Sequence, residues 1–132
     1  MFVPIAPKLI GMSVSVARAT DELAVEVNPA PMNSVNDYAT VTGSVIDTLN
    51  FLTVAFTIVN TGANSITWKV IASNASDFSA AVEVQAEAAL AAGLASSFAA
   101  AVAPWRYYKV MHKSTVGGDH GQSTVRGIAK AG

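Results

Sequence analysis

The sequence predicts an all-β protein: an antiparallel β-sandwich, jelly-roll-like in outline, with an extended N-terminal arm. Three observations lead there. Apolar residues alternate with polar or small ones at period two in most ordered-looking runs. Gly, Pro, Asn and Ser punctuate those runs at intervals suited to short strands, with no firm helical stripe between them. Parallel pairing would need crossover connections of roughly a dozen residues or more, and the sequence has no room for them.

Residues 1–11, MFVPIAPKLIG, are apolar but broken by Pro4 and Pro7, so they read as an extended arm. The sandwich then occupies 12–132 as one domain. MSVSVA (12–17) and LAVEV (23–27) alternate as strands around a turn at 19–22. NPAPMNSVND (28–37) is dense in turn formers and reads as loop. In 48–60, Val54, Phe56 and Ile58 alternate with Thr53, Ala55 and Thr57. In 66–73, Ile66, Trp68, Val70 and Ala72 alternate with Thr67, Lys69 and Ile71. The intervening TGANS supplies Gly62 and Asn64 for positive-φ positions, so the two runs are expected to form a hairpin.

The run at 81–90, AVEVQAEAAL, favours helix by propensity. Its Val82, Val84, Ala86 and Ala88 nevertheless alternate with Glu83, Gln85 and Glu87, and at helical spacing the acids would leave no clean apolar stripe. It is therefore assigned as a strand. LASSFAAAV (94–102) follows Gly93 as a weaker strand ending before Pro104. RYYKVMHK (106–113) and GQSTVRGI (121–128) close the domain around the Gly-rich turn TVGGDHG.

Composition narrows the function. The chain of 132 residues has net charge −1 and pI near 6.0, which gives no basic footprint for nucleic acid or an anionic membrane. No segment supplies the roughly 20 apolar residues of a membrane-spanning helix, and the N-terminus lacks the basic region of a signal peptide. There is no cysteine, hence no disulfide, thiolate metal site or Cys nucleophile. Charged residues are only 13% of the chain against 52% hydrophobic, so the surface is expected to be partly covered by copies of itself or by a partner.

Trp68 lies mid-strand with Ile66 and Val70 and would bury on the order of 200 Å² in the core, its indole N–H needing a partner. Tyr108, Val110 and His112 share the core side of their strand, while Tyr107 and Lys109 face out. His112 is read as a hydrogen-bonded rim residue. Asp119 beside His120 resembles half of a hydrolase triad, but adjacent side chains point apart and no Ser sits in a nucleophile-elbow motif. His112, Asp119 and His120 could supply three metal ligands but match no known spacing. Glu83 and Glu87 are read as solubilising. The expectation is no catalytic residue, no metal and no cofactor.

ITWKVIASNASDFSAAVEVQAEAALAAGLASSF, followed by APWRYYKVMHKSTVGGDHGQSTV, is similar to a pattern in small β-sandwich proteins of tailed-phage virions. It resembles discoidin-type sandwiches more loosely. The shared theme is the Trp68-Lys69-Val70 strand, the turn with Ser73, Asn74, Ser76, Asp77 and Phe78, and the strand from Arg106 to Val110. The resemblance implies a non-enzymatic bacteriophage structural protein on the capsid surface, assembled in the host cytoplasm. A capsid decoration or cement role would follow, with a major capsid or other virion protein as partner and a homotrimer as the first expected assembly.

The expected partner contacts are Phe2, Val3, Pro4, Ile5, Leu9 and Ile10 in the arm, then Trp105 and Tyr107. The alternative is a carbohydrate-binding module of a tail or adhesion protein, using Trp105, Tyr107, Asp119 and His120.

Overall fold

The computed structural model describes residues 24–131. The arm at 1–11, the strand expected at 12–17 and the turn after it lie outside the described residues. Ten strands follow: β1 (Ala24–Val27), β2 (Met32–Asn33), β3 (Ala39–Thr40), β4 (Ile46–Asp47), β5 (Thr53–Asn60), β6 (Ile66–Ser73), β7 (Val82–Leu90), β8 (Ala95–Ala100), β9 (Tyr107–Ser114) and β10 (Gln122–Lys130). All pairings are antiparallel, as expected.

Sheet A runs β1-β10-β5-β8, with β2 also on β10; sheet B runs β3-β9-β6-β7, with β4 also on β9. When β1/β2 and β3/β4 are each taken as one broken edge strand, the order is that of an eight-stranded jelly roll, two interlocked Greek keys in two layers. The period-two sets close the core between the layers. Val54, Phe56 and Ile58 from sheet A meet Ile66, Trp68, Val70, Tyr108 and Val110 from sheet B, all at most 1% exposed. Phe98 of β8 tilts onto Tyr108 at 6.3 Å between ring centroids, joining the layers near one edge.

The hairpin expected between β5 and β6 is not formed. β5 pairs with β10 and β8, whereas β6 pairs with β7 and β9, so residues 61–65 arch from one sheet to the other. Gly62 does not take a positive φ; its hydrogen is needed because a Cβ would run into the backbone nitrogen of Gln122, with Gly121 Cα at 2.8 Å. Asn60 is fully buried and braces the arch: Nδ2 donates to the carbonyls of Asn64 (2.8 Å) and Leu90 (2.9 Å), and Oδ1 accepts from Gly62 N–H (3.0 Å). Among the described residues, β6 and β7 are the one pair of consecutive strands hydrogen-bonded to each other.

Two further expectations change. The loop at 28–37 contains β2, which adds to β10 through Met32 and Asn33. β7 is a strand, but its strict alternation fails. Trp68 pairs with Ala88 and Val70 with Gln85, then Ile71 with Glu83, so β7 bulges twice against β6. The bulges leave Val82 and Ala86 exposed, and of this strand only Leu90 is fully buried.

Candidate interaction surface

The outer faces of the two sheets differ in chemistry. Lys69, Lys109, Lys113, Tyr107 and Asp47 stand on the outside of sheet B, with Arg106 at its border. Glu83 reaches Lys69 at 3.3 Å and Arg106 pairs with Asp47 through two contacts of 3.0 Å. The guanidinium holds the Asp47 carboxyl below the usual range, and Asp47 in turn raises Arg106. Aromatic rings fill the gaps: Lys69 and Lys113 sit over Tyr38 at 4.2 and 4.8 Å, and Lys109 lies over Phe78 at 4.4 Å. Burial first, then Glu87 and Glu83, keeps the Tyr38 hydroxyl protonated above the usual phenol range. Glu87 stands near that hydroxyl without hydrogen-bond geometry. Tyr107 and Lys109 are thus half-buried in a packed, ion-paired layer rather than simply exposed, and burial lowers the Lys109 amine.

On the β5 and β8 half of sheet A, by contrast, the outward residues are Thr53, Ala55, Thr57, Val59, Ala95, Ser97 and Ala99, with no charge among them. From Ala88 to Trp105 the chain carries no charged residue. Leu94 and Val102, at the two ends of β8, are 56% and 63% exposed. Leu52, 46% exposed, adjoins Val102 because the Ala103 N–H donates to its carbonyl. Toward β10 this face dips into a groove of about 310 Å³ lined by Glu26, Asn28, Ala55, Thr57, Arg126 and Ile128. The low charge density read from composition is therefore clearest on the β5–β8 half of this face, while its β1–β10 half carries Glu26, Arg126 and Lys130.

The residues singled out as chemistry do not converge. His112 is fully buried in the core, not at its rim; its Nδ1 meets the Ser123 hydroxyl at 2.8 Å and burial lowers its pKa. Trp68, its cross-strand neighbour, is core as expected, but neither the Trp68 indole N–H nor His112 Nε2 has a partner among the described residues. His120 is exposed and its Nδ1 meets Ser114 Oγ at 2.7 Å; Ser114 Oγ also meets Ser34 Oγ at 2.8 Å. Both serines are at most 2% exposed, so the chain Ser34-Ser114-His120 ties the β9–β10 turn to β2 rather than offering a nucleophile to substrate. Asp119 is bound through its N–H to the Val116 carbonyl. Among the described residues no three His, Asp or Glu side chains are grouped to hold a metal.

Trp105 is half-buried against the core, with its carbonyl accepting from Thr48 Oγ1 at 2.6 Å. It also lines a cavity of about 310 Å³ with Ser73, Asn74, Ala75, Ser79 and Ala80. Phe78 and Ala80 in this loop take φ of 58° and 52°, a left-handed conformation unusual for residues with a Cβ. The loop is held there by Ser73 Oγ donating to the Ser79 carbonyl (2.7 Å) and by Ser79 N–H donating to Asp77 (3.0 Å). Tyr107 is not at this cavity, and Asp119 and His120 belong to the β9–β10 turn. The six arm residues, Phe2 to Ile10, lie outside the described residues.

No family model and no curated protein matches the chain. Its fold is similar to that of solved jelly-roll-sized domains. The PBSX exported protein XepA superposes with TM-score 0.58 at 15% identity, covering 83% of this chain and 37% of XepA. Eiger TNF from S. frugiperda gives 0.52 at 15% identity, with 83% and 92% covered. The VP2 protein of infectious bursal disease virus, in derived T=1 particles, gives 0.50 at 13% identity, with 83% and 32% covered. The chain thus spans about a third of the length of XepA and of VP2. At such identities the likeness is one of fold.

Proposed function

We propose that the protein is a non-enzymatic structural component of a tailed-phage virion, a decoration or cement protein that stabilises the head by bridging capsid subunits. The observation that carries this reading is the uncharged β5–β8 half of sheet A's outer face, which contrasts with the ion-paired layer on sheet B. A lone soluble domain gains nothing from an uncharged face flanked by exposed Leu94, Val102 and Leu52, whereas a subunit that is covered on one side does. The XepA and VP2 folds agree with the reading, VP2 being a protein that builds particles. In this proposal the apolar arm, Phe2 to Ile5 with Leu9 and Ile10, inserts into a groove on a capsid neighbour, and the subunit associates as a trimer. An antibody against the protein should label the heads of intact particles of the phage that encodes it. Unlabelled particles, or label on tails alone, would refute the decoration role.

A second reading, a carbohydrate-binding module, is favoured by the Trp105 cavity, where an aromatic ring stands beside the amide of Asn74 and a braced loop. Titration with simple sugars, read by quenching of Trp105 fluorescence in a Trp68→Phe background, separates the two, since a cement protein shows no sugar response.

A further inference from the structure

The jelly roll has four sheet edges, and three of them are blunted. β1/β2 is broken and flanked by Pro29 and Pro31. β3 and β4 are two residues each. β7 carries Glu83, Glu87 and two bulges. Such devices keep edge strands from pairing with other chains. β8, ASSFAA, has no charge, no proline and no bulge against β5. Its inward side chains Ser96, Phe98 and Ala100 are only half-buried, while Val54, Phe56 and Ile58 beside them on β5 are fully buried. Among the described residues no further strand covers this margin of the core.

The backbone of β8 is aligned for such a strand. The Asn60 N–H donates to the Leu94 carbonyl at 2.9 Å, so Leu94 faces β5. By alternation, the N–H and C=O groups of Ala95, Ser97 and Ala99 point away from β5 to the open side.

The chain itself contains a complementary segment. MSVSVA, residues 12–17, matches β8 in length and alternates Val14 and Val16 with Ser13 and Ser15. It would lay valines beside Phe98 and serines beside Ser97. The order of strands decides whose segment fits. Ala24, Lys130, Thr53 and the Ala100 end of β8 lie at one end of sheet A. A segment 12–17 can reach the seat beyond β8 within its own subunit, since four strand spacings are roughly 19 Å and a connector at 18–23 spans at most roughly 25 Å. It would, however, run parallel to β8 in a wholly antiparallel sheet, the weaker pairing. A second copy is free to pair antiparallel.

We infer that residues 12–17 of a second copy of this chain add to the open edge of β8 as an antiparallel strand. The inference rests on the structural role proposed above only in treating sheet A as a contact between chains. It is tested on the full chain by light scattering with circular dichroism as the check of folding. The full chain should self-associate. Ser97→Pro removes one outward N–H and no bond to β5, and should weaken association at least about tenfold; deletion of residues 1–17 should do the same.

Ser97→Lys, a charge on the open edge, serves if the proline variant unfolds. The chain has no cysteine, so mixed Ser15→Cys and Ser97→Cys subunits should be joined by a short bismaleimide, giving the mixed dimer. A monomeric full chain, association indifferent to Ser97, or association lost on Ser97→Pro but kept on deletion, which would mean β8 pairing with β8, each overturns the inference. Head labelling with a monomeric chain would leave the virion role standing, and β8-dependent association without labelling would leave this inference standing alone.

Discussion

Asn60→Ala tests whether residues 61–65 form a sheet-crossing arch or a hairpin tip. In a hairpin tip Asn60 would be solvated and its loss nearly silent. In the arch it is fully buried, with two hydrogen bonds given and one received. Truncation removes all three bonds at once, while the Leu90 carbonyl keeps its strand partner Ile66 and a contact of 3.4 Å from Ser65 Oγ. Each lost hydrogen bond costs about 0.5–1.5 kcal/mol net, for a total of about 3 kcal/mol. In a domain whose stability is of order 5–15 kcal/mol this is a large share, and it lowers the thermal midpoint by roughly 10 °C. Urea unfolding should show a lower midpoint at an unchanged slope, while the exposed Asn33→Ala stays near wild type. A loss below about 0.5 kcal/mol, the range of ordinary surface changes, would refute the arch as the place where this side chain acts.

Gly127→Ala should destabilise by about 1–3 kcal/mol in the same assay, the range for overpacking a core, because the new Cβ meets the Phe56 ring and Val27 Cγ2 at 2.8 Å. His112 is held neutral by burial, so its folded pKa lies below the unfolded value of about 6.5. As pH falls below that value the unfolded chain binds the proton first, and stability drops. Urea midpoints measured between pH 7.5 and 5 should show this decline, and His112→Gln should flatten it. Asp47→Asn removes an ion pair whose side chains are 40% and 43% exposed, and should barely move the urea midpoint.

Alternation made the long strands legible, since the side chains of β5, β6, β9 and β10 bury every second residue. Sheet membership was not legible. A short Gly/Asn link looks the same whether it turns within a sheet or arches between two, and the choice is made by Gln122 and Leu90, remote in sequence from the link. The segment 38–47 gave no strand signal because β3 and β4 are two residues each, although Val41 and Ile46 are core. The depth of His112 followed from its parity with Tyr108 and Val110, but its fully buried state depends on the sheet opposite. The open edge at β8 was hidden for the same reason: its residues are ordinary, and what distinguishes them is that no described strand lies beside them.

The uncharged half of sheet A as a contact surface is tested most directly by one charge placed on each outer face. Thr57→Arg stands on the exposed outside of β5, and Ala89→Arg on the exposed outside of β7. Co-sedimentation with purified particles of the phage that encodes the chain should be lost for Thr57→Arg and kept for Ala89→Arg. Binding that survives Thr57→Arg and fails with Ala89→Arg would place the contact on the opposite sheet and contradict the account.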